Sequence, residues 1–176
     1  MPKQLKSLDD LLVHELQDIY HAEGQITKAL PKMIKAANHP ELRAAFEEHL
    51  QQTEGQIERL ERVFELLGVP AKGRKCEGMA GIIAEGQKLL DENPAPDVLD
   101  AALIAAAQRV EHYEIASYGC VATYAEVLGY DQVQELLGQN LDEEETADER
   151  LSDLAESVIN VEAADPAHER RGEAPR

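Results

Sequence analysis

An antiparallel bundle of four long α-helices is the fold class that this sequence predicts. Apolar residues recur with the helical period of about 3.6 residues along four long segments, and Gly, Asn or Pro residues separate them. Apolar residues make up 43% of the chain but aromatic residues only 4%, so the core must consist mainly of Leu, Ile, Val and Ala. Side chains of that size interdigitate well between packed helices.

The first two segments predict a helical hairpin. Ser7 caps the first helix, and Pro31 is expected to kink this helix without ending it, because the apolar pattern continues beyond it. After a short turn, Pro40 suits the first position of the second helix. We expect this second helix to run to about Leu67, where Gly68 ends it.

A crossover and a second hairpin complete the predicted bundle. The crossover contains a short helix over about 78–91, and the second hairpin joins helices over about 97–128 and 131–160. Two hairpins joined by such a crossover form the topology of ferritin-like bundles. We assign residues 1–160 to this single domain and residues 161–176 to a polar, disordered tail.

Charge and composition limit the classes of partner. The formal net charge is −18, which disfavours binding to nucleic acids and to anionic membrane surfaces. Cys76 and Cys120 have no spacing typical of metal ligands or of a disulfide framework. No apolar stretch is long enough for a signal peptide or a membrane span, so we expect a cytoplasmic protein.

Several acidic residues fall on or near the apolar faces of the predicted helices, where an isolated charge is costly. At about 100° per residue, Glu23 lies near the centre of the inward face of the first helix. Glu144 has the same position on the fourth helix, and Asp148 follows one turn later. Glu114 lies nearer the edge of the inward face of the third helix, whereas Glu111 is predicted to point outward.

The hairpin geometry places these residues at one level of the bundle. Glu23 is level with Glu54 on the flank of the second helix, where His49 points inward, and Glu114 is level with Glu144. Such a layer, rich in oxygen donors, predicts a site for one or two ions of iron or manganese. The predicted ligands are Glu23, His49, Glu54, Glu114, Glu144 and Asp148.

Structural explanations for the same residues stay open. A flank carboxylate such as Glu54 is usually solvated, and His49 is more often a hydrogen-bonded core residue than a ligand. The inward carboxylates could instead pair with a basic residue, for which Arg109 is the candidate at that level.

Four runs of residues are distinctive: residues 18–23, residues 49–59, residues 101–119, and Glu143-Glu144 with Asp148. These runs resemble the YciE/YciF-like stress proteins of bacteria, and the similarity extends over about residues 7–160. The resemblance implies a ferritin-like, rubrerythrin-type fold, usually dimeric, in a family associated with stress responses. Carried over to this sequence, the matching positions are Asp18, Glu23, His49, Glu58, Glu85, Glu111, Glu114, Glu144 and Asp148.

The chain departs from classical di-iron bundles, which carry Glu-x-x-His on two helices. Ile57 follows Glu54 at that spacing, and Ala147 follows Glu144. A site without those histidines is harder and richer in oxygen, which weakens the case for ferroxidase or peroxidase activity but not for metal binding. The sequence is compatible both with an enzyme and with a protein that has no catalytic activity.

Two functions are compatible with these observations. The first is a metal-binding stress-response protein, redox active toward Fe(II) or peroxide. The alternative is a structural or interaction dimer without catalytic activity that has lost its metal. We expect a homodimer in either case, from the resemblance and from Ile104 and Ile115, which are predicted to lie on the outer face of the third helix.

Overall fold

The computed structural model describes residues 4–164, and within them the predicted all-α bundle is confirmed. The helices are α1 (Leu8–Ala36), α2 (Pro40–Leu66), α3 (Glu77–Asp91), α4 (Pro96–Val127), α5 (Asp131–Leu154) and α6 (Asn160–Ala163). One π-helical turn, Ala155–Ile159, joins α5 to α6. Helix α1 runs through Pro31, as the apolar pattern predicts. Residues 161–163 are helical, and residues 165–176 of the predicted tail lie outside the described residues.

Two hairpins form the bundle, and α3 covers one side of it. Helices α1 and α2 pack against each other, as do α4 and α5. The hairpins meet through contacts of α1 with α4 and of α2 with α5, and α3 lies against α1 and α4. Helix α4 therefore contacts α1, α3 and α5, so its buried surface extends over a wide arc.

A polar layer divides the apolar core into two clusters. The cluster nearer the turn between α1 and α2 includes Ile26, Leu30, Phe46, Leu103 and Leu151. The cluster toward the other end includes Leu12, Leu16, Phe64, Tyr118 and Leu137. Between them, the buried polar residues on the four long helices are Glu23, His49, Thr53, Gln56, Glu111, Glu114, Asn140 and Glu144.

One buried acidic residue outside this layer has a structural role. Asp100, near the start of α4, accepts hydrogen bonds from the backbone N–H groups of Asn38 and His39, both at 2.8 Å. These two residues form the turn between α1 and α2. The carboxylate of Asp100 therefore fixes the first hairpin to the second and satisfies backbone donors that the helices leave unpaired.

Replacing Asp100 with Ala should lower the free energy of unfolding by about 3 kcal/mol, because it removes two charge-assisted hydrogen bonds. Urea denaturation measures the change. Glu126→Ala, at an exposed position on the same helix, is the control and should change stability by less than about 0.5 kcal/mol. Equal stability of the two variants would show that Asp100 does not fix the turn.

Candidate metal centre

Four buried side chains from three helices converge in the polar layer. His49 of α2, Glu111 and Glu114 of α4, and Glu144 of α5 each offer one ligand atom, and these atoms all lie within 4.8 Å of one another. None of the four residues is more than 6% exposed. We refer to these four residues as the carboxylate cluster.

Local helix geometry explains how these side chains meet. Glu111 and Glu114 are three residues apart on α4, so both project from the same side of the helix. On α2, the hydroxyl of Thr53 donates a hydrogen bond to the backbone carbonyl of His49 at 2.8 Å. Thr53 therefore satisfies its own buried hydroxyl without occupying the cluster.

The cluster contains an unusual number of buried polar atoms without hydrogen-bond partners. They include both ring nitrogens of His49, both carboxylate oxygens of Glu114, Oε2 of Glu111 and Oε2 of Glu144. The nearest approaches to His49 Nε2 are 3.5 Å from Glu111 Oε1 and 3.9 Å from Glu144 Oε2, and both contacts are too long to be good hydrogen bonds. Each unsatisfied group costs about 1–3 kcal/mol, so this arrangement calls for a ligand or for extra protons.

Glu23 of α1 lies beside the cluster and adds a carboxylate from the remaining long helix. The hydroxyl of Tyr118 donates a hydrogen bond to Glu23 Oε1, whereas Glu23 Oε2 has no hydrogen-bond partner among the described residues. The amide of Gln56 donates in the same way to Glu144 Oε1. One oxygen of each carboxylate is therefore oriented by a neutral donor, and the other is free to bind a cation.

Burial and mutual repulsion raise the pKa values of these carboxyl groups. Burial, followed by the nearby charge of Glu144, raises the pKa of Glu23 to about 8. The pKa values of Glu111 and Glu114 are also raised well above their usual range, first by burial and then by neighbouring carboxylates. Without a cation, several of these groups must hold protons near neutral pH.

The described residues supply little positive charge to balance the cluster. Arg109 is exposed, and its guanidinium donates a hydrogen bond to the backbone carbonyl of Ala105. It therefore does not pair with the inward carboxylates, which was the alternative that the sequence suggested. The positive charge of Arg59 lowers the pKa of Glu23, but less than burial and the charge of Glu144 raise it. Its guanidinium hydrogen-bonds with Asn140 and forms an ion pair with Glu143, at the edge of the layer.

The structure places the six predicted ligands in three settings. His49, Glu114 and Glu144 belong to the carboxylate cluster, and Glu23 adjoins it. Asp148 lies one turn beyond Glu144, and its carboxylate is 3.1 Å from Nε2 of the exposed His112. Glu54 is exposed on the outside of α2, as the solvated alternative predicts, and lies outside the cluster.

The prediction that Glu111 points outward is wrong, since this side chain is only 2% exposed. The helical wheel assumed one apolar face for α4, but α4 packs against α1, α3 and α5, so its buried arc is much wider. The prediction for Ile104 is wrong for the same reason, because Ile104 is 4% exposed and packs in the core. The family resemblance did indicate Glu111 as a candidate site residue, because this position is among the matching acidic residues.

The remaining acidic positions carried over from the resemblance lie outside the cluster. Asp18 accepts a hydrogen bond from the hydroxyl of Tyr113 at 2.9 Å. Glu58 and Glu85 are exposed.

The donor set fits a hard or intermediate divalent ion. One imidazole and three carboxylates, with a fourth carboxylate adjacent, match the preferences of iron and manganese. The free oxygens and ring nitrogens are the atoms that a metal ion would need.

Comparison with known proteins agrees with the fold and the family that the sequence predicts. Residues 7–164 match the family described as a domain of unknown function, DUF892. The chain belongs to the DUF892 family. It is 45% identical over 164 residues to protein YciF of Escherichia coli strain K12, covering 93% of this chain and 99% of that protein. The sequence resemblance to YciF-like stress proteins is therefore confirmed.

Solved structures of similar chains have the same architecture as this DUF892 protein. The crystal structure of the E. coli stress protein YciF matches with a TM-score of 0.85 and 46% identity, covering 89% of this chain and 99% of that one. YcfI from Rhodopseudomonas palustris matches with a TM-score of 0.84 and 45% identity, covering 86% and 97%. A protein of Xanthomonas campestris, 24% identical with a TM-score of 0.73 and covering 95% and 100%, supports the fold alone. None of the described helices is long and apolar enough to cross a membrane.

Proposed function

We propose that this DUF892 protein binds one or two ions of iron or manganese in the carboxylate cluster and acts in the stress response through them. The observation that carries the proposal is the convergence of His49, Glu111, Glu114 and Glu144 with six of their polar atoms buried and without hydrogen-bond partners. A cation would satisfy these atoms and neutralise the repulsion among the carboxylates.

The residues around the cluster define what it could do with a bound ion. Iron or manganese would supply Lewis acidity and one-electron redox chemistry toward Fe(II) or peroxide. Gln56 and Tyr118 orient one oxygen of Glu144 and one of Glu23. Burial and the charges of Glu23 and Glu114 raise the pKa of Tyr118, so its phenol stays protonated and remains a donor to Glu23.

Direct titration tests the metal proposal. The protein is treated with a chelator, dialysed, and titrated with Mn(II) or, without oxygen, with Fe(II), while bound metal is measured by calorimetry and elemental analysis. We expect saturable binding of one or two ions per chain and no comparable binding of Mg(II), because imidazole favours transition metals. Fe(II) oxidation and peroxide consumption by the loaded protein then measure redox activity. Absence of saturable Mn(II) and Fe(II) binding would overturn the proposal.

A structural or interaction protein without metal is the second candidate. The raised pKa values of Glu23, Glu111 and Glu114 favour it, because protonated carboxyl groups can be buried without a cation. In that case the protein remains metal-free after purification from cells grown with added iron and manganese. The same elemental analysis therefore distinguishes the two candidates.

We further propose that the protein is a homodimer, as the family resemblance implies. Ile104 no longer supports this, since it is buried within one chain, but Ile115 is partly exposed on α4. The most exposed large apolar side chains on α4 are Val127, which is 70% exposed, and Val98, which is 47% exposed. Sedimentation at micromolar concentration should give twice the mass of the chain, and a monomer at that concentration would contradict the proposal.

A further inference from the structure

A cavity of about 270 Å³ lies beneath the crossover helix α3, between α3, α1 and α4. Its walls are mostly apolar and include Ile26, Met33, Ile82, Leu90 and Leu103. This volume approaches the lower end of the range for small-molecule sites, about 300–1,000 Å³.

Helix α3 is packed less tightly against the bundle than the four long helices are packed against one another. Among its residues only Met79 is fully buried. Ile82, Ile83 and Leu90 face the cavity but remain partly exposed. The apolar side of α3 therefore borders empty space along much of its length, and an apolar ligand would complete its packing.

Exposed lysines and buried polar side chains both line the cavity. Lys28 and Lys32 line it from exposed positions on α1, and neither forms an ion pair with the described acidic residues. His49 and Glu111 line it from buried positions, with unpartnered atoms on both side chains. An anionic group would be attracted to the exposed lysines and would lose its hydration in the buried part of the cavity, which fixes the orientation of a ligand.

We propose that this cavity binds an amphipathic carboxylate, with a single hydrocarbon chain of roughly eight to ten carbons inside the apolar walls and its carboxylate on Lys28 and Lys32. The chain points toward His49 and Glu111, so a bound ligand covers the cluster on the α3 side. Apolar burial provides most of the affinity, and the two lysines select an anionic head group over a neutral or cationic one. This proposal requires no metal in the cluster.

Calorimetric titration of the metal-free protein tests the proposal with three probes of equal chain length: decanoate, decanol and decyltrimethylammonium. The two ionic probes are used below their micellar concentrations and decanol below its solubility limit. We expect saturable binding of one decanoate per chain, weaker binding of decanol, and the weakest binding of the cation. In the double variant Lys28→Glu/Lys32→Glu, the affinity for decanoate should fall about tenfold or more. Decanol should bind this variant as it binds the wild type.

Control variants show whether a loss of decanoate affinity comes from the cavity itself, from a general change in charge or from misfolding. Lys35→Glu changes an exposed lysine on α1 that does not line the cavity, so it should leave decanoate affinity unchanged. Ala29→Phe and Val110→Phe each place a ring in the cavity and should abolish binding of both decanoate and decanol. Melting curves show which of the two folds, and either one suffices for the test.

The proposal is overturned if decanoate does not saturate, if Lys35→Glu weakens it as much as the double variant, or if a folded filling variant binds as the wild type does. Because every titration uses metal-free protein, these outcomes leave the metal proposal untouched. Conversely, a protein that binds decanoate but no Mn(II) or Fe(II) would disprove the metal proposal and support this one.

Discussion

Glu144→Gln should lower the affinity of the protein for Mn(II) by at least about a hundredfold, since loss of even an outer-shell partner costs 10–100-fold in metal affinity. The substitution removes the charge of a fully buried carboxylate at the centre of the cluster. The Gln side chain keeps a carbonyl oxygen that can accept the hydrogen bond from Gln56, so the local packing should survive. Glu114→Gln should have an effect of similar size, because neither of its oxygens has another partner.

Thermal melting gives an independent measure of the same effect. With Mn(II) at about 100 times its dissociation constant, binding contributes about 2.7 kcal/mol, which corresponds to a rise of roughly 5–10 °C in Tm for a chain of this size. The wild type should show this rise relative to chelated protein, and both Gln variants should lose most of it. Chelated Glu144→Gln should melt no lower than the chelated wild type, because a repelled, buried charge has been removed.

Two neighbouring positions provide matched controls. Glu145 is exposed next to Glu144, and Glu54 is exposed on α2. Glu145→Gln and Glu54→Gln change the net charge by the same amount as Glu144→Gln, so they should retain Mn(II) affinity and the rise in Tm. Loss of Mn(II) affinity in Glu54→Gln would restore this residue to the ligand set. Equal affinity in all four variants would mean that Mn(II) binds elsewhere.

The fold could be predicted from the sequence because its determinants are local and periodic. The apolar stripes, the cap at Ser7 and the breaks after residues 37, 68 and 129 place α1, α2 and α4 to within one or two residues. The fourth predicted helix, 131–160, begins as predicted, but α5 ends at Leu154. The π-helical turn at 155–159 was not predicted, since it leaves the apolar pattern of α5 almost unchanged. The turn contact of Asp100 was also missed, because it joins residues about 60 positions apart.

The candidate site could be predicted only on helices that have one well-defined apolar stripe. Glu23 and Glu144 lie on helices with a well-defined inward stripe, and both are buried at the expected level. The prediction that Glu111 points outward was wrong because α4 has neighbouring helices on several sides. The cavity under α3 could not be predicted, because it depends on how closely α3 approaches α1 and α4, which periodicity does not determine.

The clustering of carboxyl groups also predicts an unusual dependence of stability on pH. The pKa of Glu23 is raised from 4.5 to about 8 in the folded protein, so the folded state binds more protons than the unfolded state between these values. The resulting stabilisation is complete below pH 4.5 and is lost as the pH rises through about 8. The raised pKa values of Glu111 and Glu114 act in the same direction.

The free energy of unfolding of the metal-free protein should therefore fall by several kcal/mol as the pH rises from about 6 to 8.5. Its Tm should fall progressively over the same range. A metal ion reverses the contribution of the cluster, because it competes with protons for the same oxygens and binds more tightly as they are lost. The difference in Tm between Mn(II)-loaded and chelated protein should thus widen with pH.

The net charge of −18 causes a further decrease in Tm as the pH rises, and this decrease is the same in Glu145→Gln as in the wild type. Chelated Glu23→Gln lacks one titrating group and should decline less steeply than Glu145→Gln, whereas identical slopes would show that Glu23 is already ionised in the folded protein.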